Sequence, residues 1–407
     1  MTRLKPAALT GIAVQRNRNV LALWTVAVAL GAVFVGAILP TPLYPLFRHA
    51  FGFSGVTLTL IYAVYVLGNV AALLLFGRLS DQIGRRNVSL PAIGVGILSA
   101  LAFAFATGTP WLFAARTLSG FSTGLASGTA TAWIAELYDD RGTASRIAAG
   151  ANFFGCAAGP LLGGILAQFA PDPLRLPFFI YLIVLIAVAV ATLFAPETVT
   201  KPKPLAEVAL KPRLGVPQQI WLPFVAPAVA AFATFALIAF YAALIPNLLG
   251  QSLHQSSPLV AGAIVCELFG IAAVTILSTG RLGSQAAMLG ALALLLPSVW
   301  LLVGAELARS LPILMAAAAL GGIAGGLGYR GSLEVINRIA PADRRSEVVS
   351  SYLVACFAGN SLPVIGIGVL SALTDPLVAH LTFATVITAL AGIAVLTGIK
   401  YGPAKTG

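Results

Sequence analysis

Apolar positions along this chain come in runs of about twenty residues, separated by short polar breaks. Such a run folds as a helix that can cross a bilayer, because in hydrocarbon the backbone must satisfy its own hydrogen bonds. The pattern predicts twelve helices, over residues 20–42, 55–77, 88–107, 110–135, 145–169, 176–196, 219–248, 257–279, 285–305, 311–337, 348–372 and 376–399. The thinnest break, Thr107-Gly108-Thr109-Pro110, separates the third from the fourth. The longest polar stretch, 197–218, carries Lys201, Lys203, Lys211 and Arg213 among prolines. It is expected to be a cytoplasmic linker between two six-helix bundles, 1–196 and 219–407.

Composition names the solvent. Hydrophobic residues make up 59% of the 407 positions and charged ones only 9%, against about 25% charged in soluble domains. The net charge of +11 does not imply nucleic acid, since the basic residues sit in short loops and form no basic face. Arg48, Arg175 and Arg309 fall in outer loops, and Arg116 and Arg330 within helices. The remaining lysines and arginines lie in inner segments, which predicts both termini in the cytoplasm. The run from Val20 is too long for a cleaved signal and reads as an uncleaved first span. Cys156, Cys266 and Cys356 lie in apolar segments without metal-ligand spacing and read as packing residues. No metal or cofactor is expected.

The loop Gly77-Arg78-Leu79-Ser80-Asp81-Gln82-Ile83-Gly84-Arg85-Arg86 is echoed 203 residues later by Gly280-Arg281-Leu282-Gly283-Ser284-Gln285. The same offset aligns Asp140-Arg141 with Asp343-Arg344, and Pro160 and Gly163 with Pro363 and Gly366. One register held across several helices indicates a duplicated half. Paired halves of this kind are an architecture of transporters.

Ionisable residues inside spans are costly and mark function. Arg116 lies about six residues into the fourth span; it either snorkels to the interface or turns inward. Glu267 is the one acid near mid-span, suited to carry a proton or to hold a cation, or else it is a hydrogen-bonded packing residue. Arg330 and Glu334 share a helix face and read as a snorkelling pair or an inner gate. Glu136, with Asp139, Asp140, Arg141 and Arg146, forms a mixed-charge inner rim. Trp24, Tyr62, Tyr65, Trp133, Asn152, Phe153, Phe232, Phe235, Phe240, Tyr241 and Tyr329 are candidates to line a central cavity, which would suit a partly apolar ligand.

Several of these segments resemble the major facilitator superfamily. Gly77, Leu79, Ser80, Asp81, Gly84, Arg85 and Arg86 match every fixed position of its signature G-x-L-[AS]-D-x-x-G-R-[RK], between the second and third spans. The resemblance implies a conformational latch whose acid meets the other half when the cavity faces outward. Arg116 and Gly120 are similar to the family's fourth-helix R-x-x-x-G, which implies a part in proton coupling. Gly155, Gly159, Pro160, Gly163 and Gly164 resemble the G-x-x-x-G-P-x-x-G-G run of the drug:proton antiporter branch, which implies export. By residue type alone, that run could equally serve close helix packing. Two departures stand out. The first span has no acid, which weakens any transfer of cationic-drug selectivity, and Ser284 occupies the place of Asp81 in the second loop.

The expectation is an all-α membrane protein of twelve spans, acting as a proton-coupled secondary transporter. It would export a small amphipathic compound by alternating access, as a monomer in a bacterial inner membrane. Its partners would be the substrate, protons and lipid. The alternatives are transport of a polar metabolite, such as a sugar or amino-acid derivative, and a membrane sensor without transport. An enzyme is not expected: Gly120-Phe121-Ser122-Thr123-Gly124 matches G-x-S-x-G but lies in an apolar helix. The histidines His49, His254 and His380 are expected in outer loops, far from that serine. No selectivity-filter sequence points to a channel.

Overall fold

The computed structural model describes residues 6–200, 204 and 214–401, and the side chains of 19–200, 204 and 214–400. Among the described residues there is no strand. The helices are α1 (Pro6–Ile38), α2 (Tyr44–Phe51), α3 (Gly55–Phe76), α4 (Leu79–Ile83), α5 (Arg85–Ala104), α6 (Thr109–Leu137), α7 (Arg141–Phe169), α8 (Leu176–Leu193), α9 (Trp221–Gln251), α10 (Pro258–Ser278), α11 (Ser284–Leu307), α12 (Leu311–Ile339), α13 (Arg345–Leu373) and α14 (Pro376–Tyr401). Apart from the short α2 and α4, they correspond one to one with the twelve expected spans.

Local chemistry sets the helix starts. Ser54 accepts a hydrogen bond from Thr57 N at 3.1 Å and caps α3. Ser257 does the same for Val260 N at 3.3 Å in α10, and α6, α8, α10 and α12 carry proline in the first turn, where its missing N–H costs nothing. The first span ends at Ile38, because Pro40 and a 3-10 turn, Thr41–Leu43, redirect the chain into α2.

Eleven of the described helical segments are long and apolar enough to cross a membrane; α6 falls short. Its sequence explains this: Arg116 and a series of glycines, serines and threonines dilute the apolar residues. These small residues face protein. A Cβ on Gly124 would lie 2.6 Å from Asn69 O, and one on Gly120 would collide with Tyr65 O. Helix α6 therefore lies against the backbone of α3, and it also packs on α1 and α5. A helix surrounded by other helices need not be greasy. The same packing disposes of the hydrolase pattern, since Ser122 Oγ donates to Ala92 O at 2.7 Å.

Helices α1, α3 and α5–α8 pack among themselves, as do α9–α14. The two sets meet mainly along α7 with α10 and along α3 with α13. The face of the bundle that carries the loop Gly77–Arg86 is termed the near face, and the opposite one the far face. Most of the polar segment 197–218 lies outside the described residues, with Lys201, Lys203, Lys211 and Arg213. Its described ends are anchored, Glu197 on α5 and Gly215 N on Ser351 Oγ at 3.1 Å.

Candidate functional site

A cavity of about 120 Å³ lies between the two helix sets. Its walls differ in character. The first half supplies the polar groups Tyr62, Tyr65, Asn69, Arg116, Ser127 and Asn152 among the apolar Phe34, Ala37, Ile38 and Phe153, while the second half is mainly apolar, with Phe235, Ile238, Phe269, Leu353 and Phe357 beside Tyr329 and Asn360. The cavity shares Ser127, Asn152 and Tyr329 with a near-face vestibule of about 180 Å³, which continues past Ser145, Arg146, Glu334 and Asn337. It shares no lining residue with the far-face hollow of about 230 Å³ around Arg48, Thr59, Gln251 and His380.

What closes the far side is backbone against backbone. A Cβ on Gly164 would sit 2.6 Å from Pro258 O, and one on Gly262 would collide with Pro160 O. Thr41 Oγ1 donates to Ala242 O at 2.7 Å, and Gln168 Oε1 accepts from Ser257 Oγ at 2.5 Å. The run Gly155–Gly164 thus serves two partners. Gly155, Gly159 and Gly163 seat α7 on α1, whereas Pro160 and Gly164 seat it on α10 of the other half.

Arg116 turns inward. It is 1% exposed, and its Nη1 donates to Ala37 O at 2.6 Å and its Nη2 to Tyr62 O at 3.4 Å. The guanidinium carbon lies 4.6 Å from the Tyr65 ring and 5.3 Å from the Tyr62 ring, within cation–π range. Its Nε has no partner, and among the described residues no carboxylate pairs with it. Beside it, Asn69 Nδ2 donates to Thr123 Oγ1 at 3.0 Å, and that oxygen lies 2.8 Å from Tyr65 OH. Tyr62 OH donates to Asn360 Oδ1 at 3.3 Å across the halves.

Glu267 does not line this cavity. Phe269 does, and two residues along a helix is about 200° of rotation, so Glu267 is turned out of the cavity, partly buried on α10. Its Oε2 is sealed and has no hydrogen-bond partner among the described residues. Of the expected lining residues, Tyr62, Tyr65, Asn152, Phe153, Phe235 and Tyr329 are in place. Trp24 points outward, 55% exposed. Trp133 is buried elsewhere, its Nε1 donating to Pro196 O at 3.1 Å. Phe232 and Tyr241 are turned out of the cavity by the rotation of α9, and Phe240 stacks on Phe383 and against His380.

At the near face the signature loop forms a closed electrostatic unit. The Arg85 guanidinium is forked onto Glu136, at 2.6 and 3.1 Å, donates to Ser80 Oγ at 2.8 Å, and also pairs with Asp81. Glu197 accepts from Arg85 N at 2.9 Å and Arg86 N at 3.0 Å, placing a carboxylate on the N-terminus of α5. Arg86 Nη1 donates to Leu193 O at 3.1 Å, near the C-terminus of α8. Asp81 thus engages its own half, while Arg78 Nη2 donates across the halves to Ser346 Oγ at 2.8 Å. Arg146 lies over Gly280, in the second copy of the loop. Arg330 holds Glu334 at 3.2 Å and Leu282 O at 2.7 Å. Asp140 caps α7, and its bond from Thr143 Oγ1 at 2.5 Å, with that from Gly142 N, holds its carboxyl below the ordinary aspartate range.

Gly84 has φ +109°, and a Cβ there would meet Glu197 Oε2 at 2.6 Å. Gly84→Ala is expected to cost about 1–3 kcal/mol, read as a lower Tm of the purified protein.

Residue type alone does not flag Asn69, Cys156, Cys356 and Asn360 as cavity residues. Their one signal is polarity or sulfur inside an apolar run. His380 corrects an expectation: it is buried in α14, with Nδ1 2.6 Å from Glu306 Oε2, whose Oε1 accepts from Ser252 Oγ at 2.6 Å. Nothing in the sequence links Glu306 to a histidine 74 positions away.

Comparison with known proteins agrees with this architecture. The chain is similar to multidrug resistance protein 2 of Bacillus subtilis, 27% identical over 40% of each protein. It is also similar to a multi-drug resistance efflux pump PmrA homolog of Lactococcus lactis, 32% identical over 38% of each. These matches span about two fifths of the relatives' length. The fold matches a crystal structure of a bacterial homolog of the human lysosomal transporter Spinster, inward-facing and unoccupied, with TM-score 0.71 and 16% identity over 94% of this chain and 98% of that one. The sequence profile of the Major Facilitator Superfamily matches residues 25–362, and this chain belongs to that superfamily.

Proposed function

We propose that this protein is a proton-coupled secondary transporter that exports a small amphipathic compound by alternating access. The observation that carries the reading is the central cavity, largely apolar with a cluster of polar groups around Arg116, joined to the near-face vestibule and sealed from the far face. With the near face in the cytoplasm, this is an inward-facing state ready to load. The two lobes, divided within 197–218, would rock about the α7–α10 and α3–α13 contacts. The network of Asp81, Arg85, Glu136 and Glu197 would act as the near-face latch, and Arg330 with Glu334 as a gate on the vestibule. Export of an amphiphile is favoured over a polar sugar by the wall of Phe235, Phe269 and Phe357, which offers no hydrogen bonds.

The test is flux in proteoliposomes. An imposed proton gradient should drive movement of an amphipathic dye, and collapsing the gradient should abolish it. Dye movement that ignores the gradient would overturn the proton coupling, and no movement of any amphiphile would overturn the substrate reading. Glu267 is proposed as the proton site, since its sealed, unpartnered Oε2 is costly to keep as a charge inside a span. Glu267→Gln should leave dye binding intact while flux loses its dependence on pH. A normal rate with a normal pH profile would remove Glu267 from the mechanism.

A further inference from the structure

The charge of the cavity points to a substrate class. Its lining contains one formal charge, Arg116, and no aspartate or glutamate among the described residues. That guanidinium is 1% exposed, rests on two backbone carbonyls and two tyrosine faces, and keeps Nε without a partner. Carbonyls and rings spread a positive charge but do not cancel it. A buried charge without a counter-ion is unfavourable, and arginine does not lose its proton to escape the cost. The species that relieves it is an anion arriving through the near-face vestibule. A cation in the same cavity would be repelled and would find no carboxylate.

The rest of the lining limits what that anion can be. Phe235, Phe269 and Phe357 present apolar surface, which a small inorganic ion would leave unfilled. We infer that the ligand of this cavity is an amphipathic organic anion, with its acidic head on Arg116 and its apolar body against these phenylalanines. The inference rests on the reading of the protein as an amphiphile transporter and adds the sign of the head group.

The test uses three probes of one shape: butylbenzenesulfonate, butylbenzyl alcohol and butylbenzyltrimethylammonium. Binding to the full-length protein in lipid nanodiscs is measured by calorimetry, with empty nanodiscs subtracted. The sulfonate is expected to bind at least about tenfold more tightly than the ammonium, with the alcohol between them. Arg116→Gln should weaken the sulfonate by about tenfold or more and leave the alcohol within about twofold. Equal or tighter binding of the ammonium to the wild-type protein would overturn the inference, and this comparison needs no variant to fold. So would sulfonate binding that is unchanged in a folded Arg116→Gln protein. Binding of the alcohol and ammonium without the sulfonate would defeat the charge assignment alone. Failure of all three to bind would defeat the amphiphile reading as well.

Discussion

Gly262→Val is expected to open the far face and to cut turnover by about tenfold to a hundredfold. Gly262 sits where α10 crosses α7, and a Cβ there would strike Pro160 O and lie 3.3 Å from Gly164 Cα. Both obstacles are helix backbone, so neither can rotate aside as a side chain would. Overpacking of this kind costs about 1–3 kcal/mol. The cost falls only on the state in which the far face is closed, because the far end of the α7–α10 crossing parts when the lobes rock about its remainder. Each ~1.4 kcal/mol of differential cost moves a two-state population tenfold. The native thiols report the outcome, since Cys156 and Cys356 both line the cavity. In the wild type, a membrane-impermeant thiol reagent should label them from the near face. In Gly262→Val, labelling should shift to the far face. Gly94→Val is the control, because a Cβ on Gly94 meets nothing within 4 Å. Equal labelling patterns in the two variants would mean that the α7–α10 crossing is not the seal.

The second large effect is expected from Asp81→Asn combined with Glu136→Gln. Arg85 is 7% exposed and both its counter-charges come from these two acids, which are themselves 55% and 37% exposed. Removing one partner of a buried pair costs about 3–5 kcal/mol. Partial solvation of the acids, and the amides left to accept hydrogen bonds, reduce this to about 2 kcal/mol. The loss should appear as a Tm lower by a few degrees and as slower flux, since the near-face unit also holds α4, α5 and the end of α6 together. Glu136→Gln alone should account for most of it, because Glu136 takes the forked contact. Adding Arg85→Gln should restore much of the stability, as it removes the stranded charge. Failure of that third substitution to rescue would show that packing, not charge, governs the near face.

Much of this was legible in the sequence. Twelve apolar runs became twelve long helices because hydrocarbon leaves a backbone no other partner. The signature from Gly77 to Arg86 marked the place where charges gather, and Arg116 was found by its cost in a span. Glu267 was found by the same argument but does not line the cavity, because cost identifies a residue type and not the side of the helix it occupies. Trp24, Trp133, Phe232, Phe240 and Tyr241 were misplaced for the same reason.

By itself, then, the sequence determined the solvent, the number of helices, the duplicated halves and the residues too polar to be there by accident. Tertiary structure decided the rest: which side of each helix turns inward, that among the described residues Arg116 has no acid beside it, that Glu306 meets His380, and that the far face is shut. The division has one cause. Hydrophobic length and charge are local properties, written within about twenty residues, whereas the rotation of a helix is fixed by contacts such as Gly155 on Gly31 and Gly164 on Pro258, between segments far apart in the chain.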